Sequence, residues 1–388
     1  MPAIPTSHRV RQLRPTAVNS ILAEVKQLQA EGRKLVSLMR GEPDFRTPAH
    51  IVEAAERALR NGRTGYADNR GELPFREAVA AKLKFYDPAT EILITTGATF
   101  GIHAALTALL NDGDEVLLPE PVYDAYHSPI LLAGGVIRSV PSQIVNGRFT
   151  LDVAGLEAAC TARCRVMLLN TPWNPTGTVF TREELEAIGE FVLRHNLILL
   201  SDEIYESITY EDHVHISPIA LSPELRARTV LINSFSKTYA MPGWRAGYCA
   251  APATITQAMF LVLQQSSRGP ATFVQDAATE ALQGPQDCVA VMRQEYTNRR
   301  ATVCRELSGM ASCRVLAPEG GFFAMLDISA LHTPSNEIRR KLMREHGVVV
   351  VHGSAYGPSG EGTLRVSFAS GGDNLTRGLE KLRAGLES

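Results

Sequence analysis

The chain is poor in the features that mark specialised protein classes. Only six of its 388 residues are cysteine (Cys160, Cys164, Cys249, Cys288, Cys304 and Cys313). None forms a CxxC pair, and no histidine cluster has metal-ligand spacing. A disulfide scaffold and a zinc module are therefore excluded, no metal is expected, and reduced thiols in a cytosolic protein are. No run of five like charges occurs, and 39 basic residues nearly cancel 41 acidic ones. That leaves no electrostatic footprint for nucleic acid and no polybasic patch for a membrane. No apolar run reaches the roughly 18 residues of a membrane helix. The basic N-terminus, "MPAIPTSHRVRQLRPTAV", has no apolar h-region, so no secretory signal is expected.

What remains is an ordinary globular composition, 45% apolar and 21% charged. The length favours two domains. Residues 1–45 read as an arm packing with the small domain; its "AVNSILAEVKQLQAEG" has helical periodicity and a glycine stop at Gly32. Residues 46–280 read as a large domain. There, short apolar runs ("EILIT", "EVLLPEP", "GVIRSVP", "RVMLLN", "LILLSDE", "TVLIN") alternate with helical segments. Runs that are apolar at every position are how parallel strands buried on both faces read. The alternation predicts an α/β fold with a mostly parallel sheet covered by helices. Residues 281–388 open on a long charged helix and continue through "CRVLAPEGGFFAMLDIS", "GVVVV" and "GTLRVSFA", predicting a small α+β domain.

Open α/β sheets bind ligands beyond the carboxyl ends of their strands, so the residues following each run matter most. Gly97, Ala98 and Thr99 open a helix after "EILIT"; they make either an anion cup or a plain capping turn. Tyr123 follows "EVLLPEP" and either stacks on a flat ring or packs in the core. Asn174 follows "RVMLLN" in "TPWNPTG", where Pro175 and Gly177 fix a tight turn; its amide is a ligand donor or closes an Asx turn. Asp202 ends an apolar run, where a carboxylate needs a partner, and Tyr205 shares its face if a helix starts there. After "TVLIN", "SFSKTYAMPGWRAGY" supplies Ser234, Ser236, Lys237 and Arg245. A lone lysine in such a loop is usually solvated, but five of the six strand ends here carry complementary chemistry. An anion cup, a stacking ring, a donor amide, a carboxylate, and an amine beside an arginine suit a phosphorylated ring-nitrogen aldehyde, pyridoxal 5'-phosphate (PLP). Lys237 would form the Schiff base with it.

"GEPDFRTP", "GYADNRGELPFREAVA", "TTGAT", "PVYDAY", "NTPWNPTG", "SDEIY", "SFSKTYAMPGWRAGY", "GGFFAMLDIS" and "LRVSFA" occur in an order that resembles the fold-type I, class I/II PLP-dependent aminotransferases, aspartate/aromatic type, over nearly the whole chain. The resemblance implies Lys237 as the covalent lysine and Asp202 at the ring nitrogen. It implies Asn174 and Tyr205 at the phenolic oxygen, and Tyr123 stacked on the ring. The phosphate cup would be Gly97, Ala98, Thr99, Ser234 and Arg245, with Tyr66 reaching the neighbouring subunit's phosphate. Arg365, helped by Asn174 and the Gly41 backbone, would clamp the substrate carboxylate. It further implies a cytoplasmic homodimer with shared active sites. The implied reaction is ping-pong transfer of an amino group from an L-amino acid to a 2-oxoacid; a β-eliminating lyase on the same site is the alternative. In one aspartate and prephenate branch a lysine stands where this chain has Thr99, which weakens a dicarboxylate reading. Arg268 is a replacement cation or an ordinary exposed arginine, and Trp173 lines the amino-acid pocket or simply packs.

Overall fold

The computed structural model describes residues 6–388, so the first five residues of the expected arm lie outside it. Seven strands form the main sheet: β1 (Ile92–Thr95), β2 (Glu115–Pro119), β3 (Val136–Val140), β4 (Cys164–Asn170), β5 (Ile198–Asp202), β6 (Thr229–Ser234) and β7 (Gly247–Ala250). Their order across the sheet is β1-β7-β6-β5-β4-β2-β3. Six run parallel, and β7 alone is antiparallel, inserted between β1 and β6. β1, β2, β5, β6 and β7 are buried at every residue, the signature of strands covered on both faces.

The sequence pattern missed β7. Gly247 begins it opposite both Thr95 and Ser234. A Cβ at Gly247 would lie 2.8 Å from the Asn233 carbonyl oxygen and 2.9 Å from Gly97 Cα. Close approach of three backbones, not strand propensity, selects this residue. The insertion brings Arg245 and Ala246 to the same sheet end as the carboxyl termini of the parallel strands.

A second, antiparallel sheet holds β8 (Arg314–Leu316), β9 (Phe323–Asp327), β10 (Val351–His352) and β11 (Thr363–Ser367) in the order β8-β9-β11-β10. The run "GVVVV" does not make one strand. Val348 and Val349 pair in parallel with Val36 and Ser37 of the arm, whereas Val351 and His352 join the small sheet. Leu38 is buried among Val348, Val366 and Leu379 of this C-terminal unit. Ile21 and Met39 pack with Met343, Val349 and Tyr356. Arg339, 1% exposed, is held by a bidentate ion pair to Glu24 in the arm helix Ala17–Ala30. The arm is thus fixed by apolar burial and one charge-assisted pair.

Candidate active site

A cavity of about 380 Å³ opens where the carboxyl ends of β1, β2, β4, β5 and β6 meet β11 and the arm. Asp202 closes β5, in register with Asn170 of β4, and is 2% exposed. Its backbone carbonyl accepts from the Asn170 amide at 2.9 Å and from the Thr171 N–H at 3.0 Å, which fixes the strand end. Tyr126 donates its hydroxyl to Oδ2 at 2.6 Å, and the Ile204 N–H reaches Oδ1 at 3.3 Å. Burial pushes the Asp202 carboxyl up to about 6 against the pull of these donors and Lys237.

Lys237 stands in the short helix Phe235–Thr238, which Ser234 caps by accepting from the Ser236 N–H. Its Nζ donates to the Gly41 carbonyl at 2.6 Å. Part of the side chain faces the open cavity, yet the surrounding walls desolvate the amine and pull it down to about 8, against Glu42 and Asp202. Such an amine is neutral often enough near physiological pH to act as a nucleophile.

At the opposite end, Gly97 caps the helix Ala98–Leu109 with φ at 82°, a conformation glycine adopts without strain. A Cβ there would lie 2.7 Å from Arg245 Nη2, so the bare backbone lets the guanidinium lie across the helix N-terminus. Arg245 donates to the Pro242 carbonyl at 2.9 Å. Ala98, Thr99 and Ser234 line this end of the cavity. Free N–H groups, hydroxyls and a guanidinium make it an anion site.

Arg365 lies mid-strand in β11, opposite Met325 and Val351, and is 3% exposed. It donates to Asn174 Oδ1 and to the Met39 carbonyl, each at 3.3 Å, and stacks 4.0 Å from the Phe323 ring centroid. Its Nε has no partner among the described residues. Among the described residues neither Arg365 nor Arg245 forms an ion pair, whereas the other buried arginines, Arg76, Arg299 and Arg339, do. A buried cation without a counter-charge is costly. Arg365 is in that position, and Arg245 stands exposed at the other end of the same cavity, so the pair fits a ligand bearing anionic groups at both ends.

Residues 33–382 match the sequence model of the aminotransferase class I and II family. The chain belongs to that family. It is 38% identical to aromatic-amino-acid aminotransferase 2 of Thermococcus litoralis, over 97% of both chains. It is also 38% identical to an aspartate aminotransferase of Pyrococcus abyssi, again over 97% of both. The solved structure of Thermus thermophilus aspartate aminotransferase with maleate superimposes with a TM-score of 0.92 at 34% identity, covering 99% of this chain and 100% of that one. The protein is an aminotransferase of the type I fold, and these relatives lend no support to the lyase reading.

In this aminotransferase Lys237, Asp202, Asn174, Tyr205, Tyr123, Ala98, Thr99, Ser234, Arg245, Gly41 and Arg365 share one cavity wall system. Trp173 does not. Its indole is 3% exposed and stacks on Phe180 at 5.5 Å, with Leu185 and Phe191 in the same core cluster. The turn that presents Asn174 sends the preceding side chain the other way, so Trp173 packs and does not line the pocket. Tyr205 is not helical either: it stands in a turn after β5, opened by the Asp202 Oδ1 contact. Tyr66 is 95% exposed and lies outside its own subunit's cavity, with the Arg268 guanidinium 5.9 Å from its ring centroid. Arg268 is exposed as well and does not line that cavity.

Sequence reasoning missed Tyr126 and Asp124, although both stand in the "PVYDAY" segment it singled out. Asp124 accepts the Ala17 N–H at 2.6 Å, docking the first turn of the arm helix beside the cavity. Its second oxygen has no donor among the described residues. The regular pairing of Tyr123 and Asp124 with a short turn was the available signal.

Proposed function

We propose that the chain binds PLP in this cavity and transfers the amino group of an L-amino acid to a 2-oxoacid by ping-pong turnover. One observation carries the reading: the desolvated amine of Lys237 shares a cavity with the buried carboxylate of Asp202 and with two arginines that lack counter-ions. PLP bound there supplies an aldehyde for the amine and a ring that withdraws electrons when its nitrogen is protonated. Asp202 favours that protonation by opposite charge. Tyr205, buried and with its phenol pushed far above the ordinary value, stays a hydrogen-bond donor to an oxyanion, as does the Asn174 amide. Ala98, Thr99, Ser234 and Arg245 would hold the phosphate, with Tyr123 over the ring face.

Arg365 binds the substrate carboxylate and fixes which way the α-hydrogen points. Lys237, once displaced, is the group placed to take that proton and to return it. The three cations of the cavity are thereby committed, and Asp124 adds negative charge near the arm. This distribution favours amino acids with neutral side chains over dicarboxylates. We further propose a cytoplasmic homodimer in which Tyr66, and Arg268 beside it, serve the neighbouring subunit's site. In it residues 1–45 are an arm, 46–280 the cofactor domain and 281–388 the small domain. A donor panel against 2-oxoglutarate, pyruvate and aromatic oxoacids, read by oxoacid formation, tests the transfer. Turnover by Lys237→Ala equal to that of the unsubstituted enzyme would refute it.

A further inference from the structure

We propose that Tyr126 is a positioning residue that keeps the Asp202 carboxylate ionised, aimed into the cavity, and in fixed relation to the Tyr123 ring. The inference rests on the PLP reading and deepens it. Asp202 is buried and, among the described residues, forms no ion pair. Its two oxygens receive one donor each from the described residues: Ile204 N–H at a long 3.3 Å, and the Tyr126 hydroxyl at 2.6 Å. The second is the short, charge-assisted contact, of the kind roughly twice as strong as a neutral one. Without it, Oδ2 would be a buried acceptor with no partner, and the carboxyl would protonate instead.

The same side chain has a second contact. Its ring meets Tyr123 edge-on, at 5.4 Å between centroids and 87° between planes. Tyr123 caps and Tyr126 ends a single turn of 3-10 helix, Asp124–Tyr126, closed by the Tyr126 N–H on the Tyr123 carbonyl at 3.1 Å. One phenol therefore ties the residue at the edge of the ring site to the residue over its face. Burial pushes the Tyr126 hydroxyl far above its ordinary range, so it remains a donor at every working pH. The other titratable groups facing Asp202 are Glu203 and Tyr205 from its own turn, Tyr123 beside Tyr126, Lys237 after β6, and Cys249 in β7. Of all these groups, only the Tyr126 phenol donates a hydrogen bond to the carboxylate.

Tyr126→Phe keeps the edge-on ring contact and removes the hydroxyl. The Asp202 carboxyl is followed by carbon NMR in cofactor-free protein labelled at aspartate, with Asp202→Asn giving the assignment. The midpoint is expected to rise by about 1 pH unit or more in Tyr126→Phe. PLP affinity, measured by equilibrium dialysis, is expected to fall about tenfold, the same free energy seen from the other side. Tyrosine fluorinated at C3, introduced at position 126, is a stronger donor of nearly unchanged shape; it is expected to lower the midpoint. This second substitution decides the matter should Tyr126→Phe fail to fold. An Asp202 midpoint unmoved by the phenylalanine in a folded variant, or by the fluorinated ring, would overturn the inference. If unsubstituted protein takes up no PLP, the cofactor reading fails, while the midpoint still decides the role of Tyr126.

Discussion

Arg365 donates to Asn174 across the cavity, from the small sheet to just beyond the end of β4, and among the described residues no carboxylate forms an ion pair with it. The arrangement reserves one buried guanidinium for an anion that arrives from outside. Arg365→Ala is expected to lower kcat/KM by at least about 100-fold for every amino acid and oxoacid alike, mostly through KM. Steady-state kinetics check this; an unchanged KM would place the substrate carboxylate elsewhere.

The Lys237 amine sits near 8, well below an ordinary lysine. Capture of PLP by cofactor-free protein needs the neutral amine, so its rate is expected to rise between pH 7 and 9 with a midpoint near 8. Stopped-flow absorbance at a series of pH values measures it. The linkage follows the same sign. Folding holds fewer protons on Lys237 between about 8 and 10.4, so its contribution to stability improves as pH rises through that window. Asp202 behaves oppositely. Its carboxyl is raised in the fold, so its contribution is full below about 4 and is lost as pH rises through about 6.

Asp202→Asn removes the charge and keeps the shape. It is expected to retain PLP at reduced affinity and to lose at least about 1,000-fold in kcat, because the ring nitrogen is no longer kept protonated. Cofactor content by absorbance, beside single-turnover rates, separates binding from chemistry.

Trp173 separates packing from specificity. Trp173→Ala is expected to cost about 3–5 kcal/mol of stability, the usual range for emptying a large aromatic site. Trp173→Phe is expected to leave KM values for aromatic and dicarboxylic donors in their original ratio. Denaturant unfolding and paired kinetics read the two effects.

Thr99→Lys places a second cation at the cup, beside Arg245. It is expected to raise kcat/KM for aspartate relative to phenylalanine by about tenfold or more, through attraction of the distal carboxylate. A fall in both would show that position 99 belongs to the phosphate end alone.

The parallel strands were legible because burial on both faces writes itself as continuous apolar runs, and the cavity residues because they follow those runs directly. β7 was not, since its four residues include a glycine chosen by the backbones beside it, Asn233 and Gly97. Tyr126 escaped notice because its partner lies 76 positions away and the hydrogen bond exists only in the folded chain. Trp173 was read one way too many: chain proximity to Asn174 says nothing of side-chain direction once the turn alternates faces. The splitting of "GVVVV" between two sheets depends on the arm, whose Val36 and Ser37 supply the partner strand.

The decisive measurement is reduction of PLP-loaded protein with borohydride, followed by peptide mapping. A stoichiometric phosphopyridoxyl adduct on Lys237, absent from Lys237→Ala, is the expected result. A protein that takes up no PLP, or an adduct on any other lysine, would contradict the assignment of this cavity as the catalytic site.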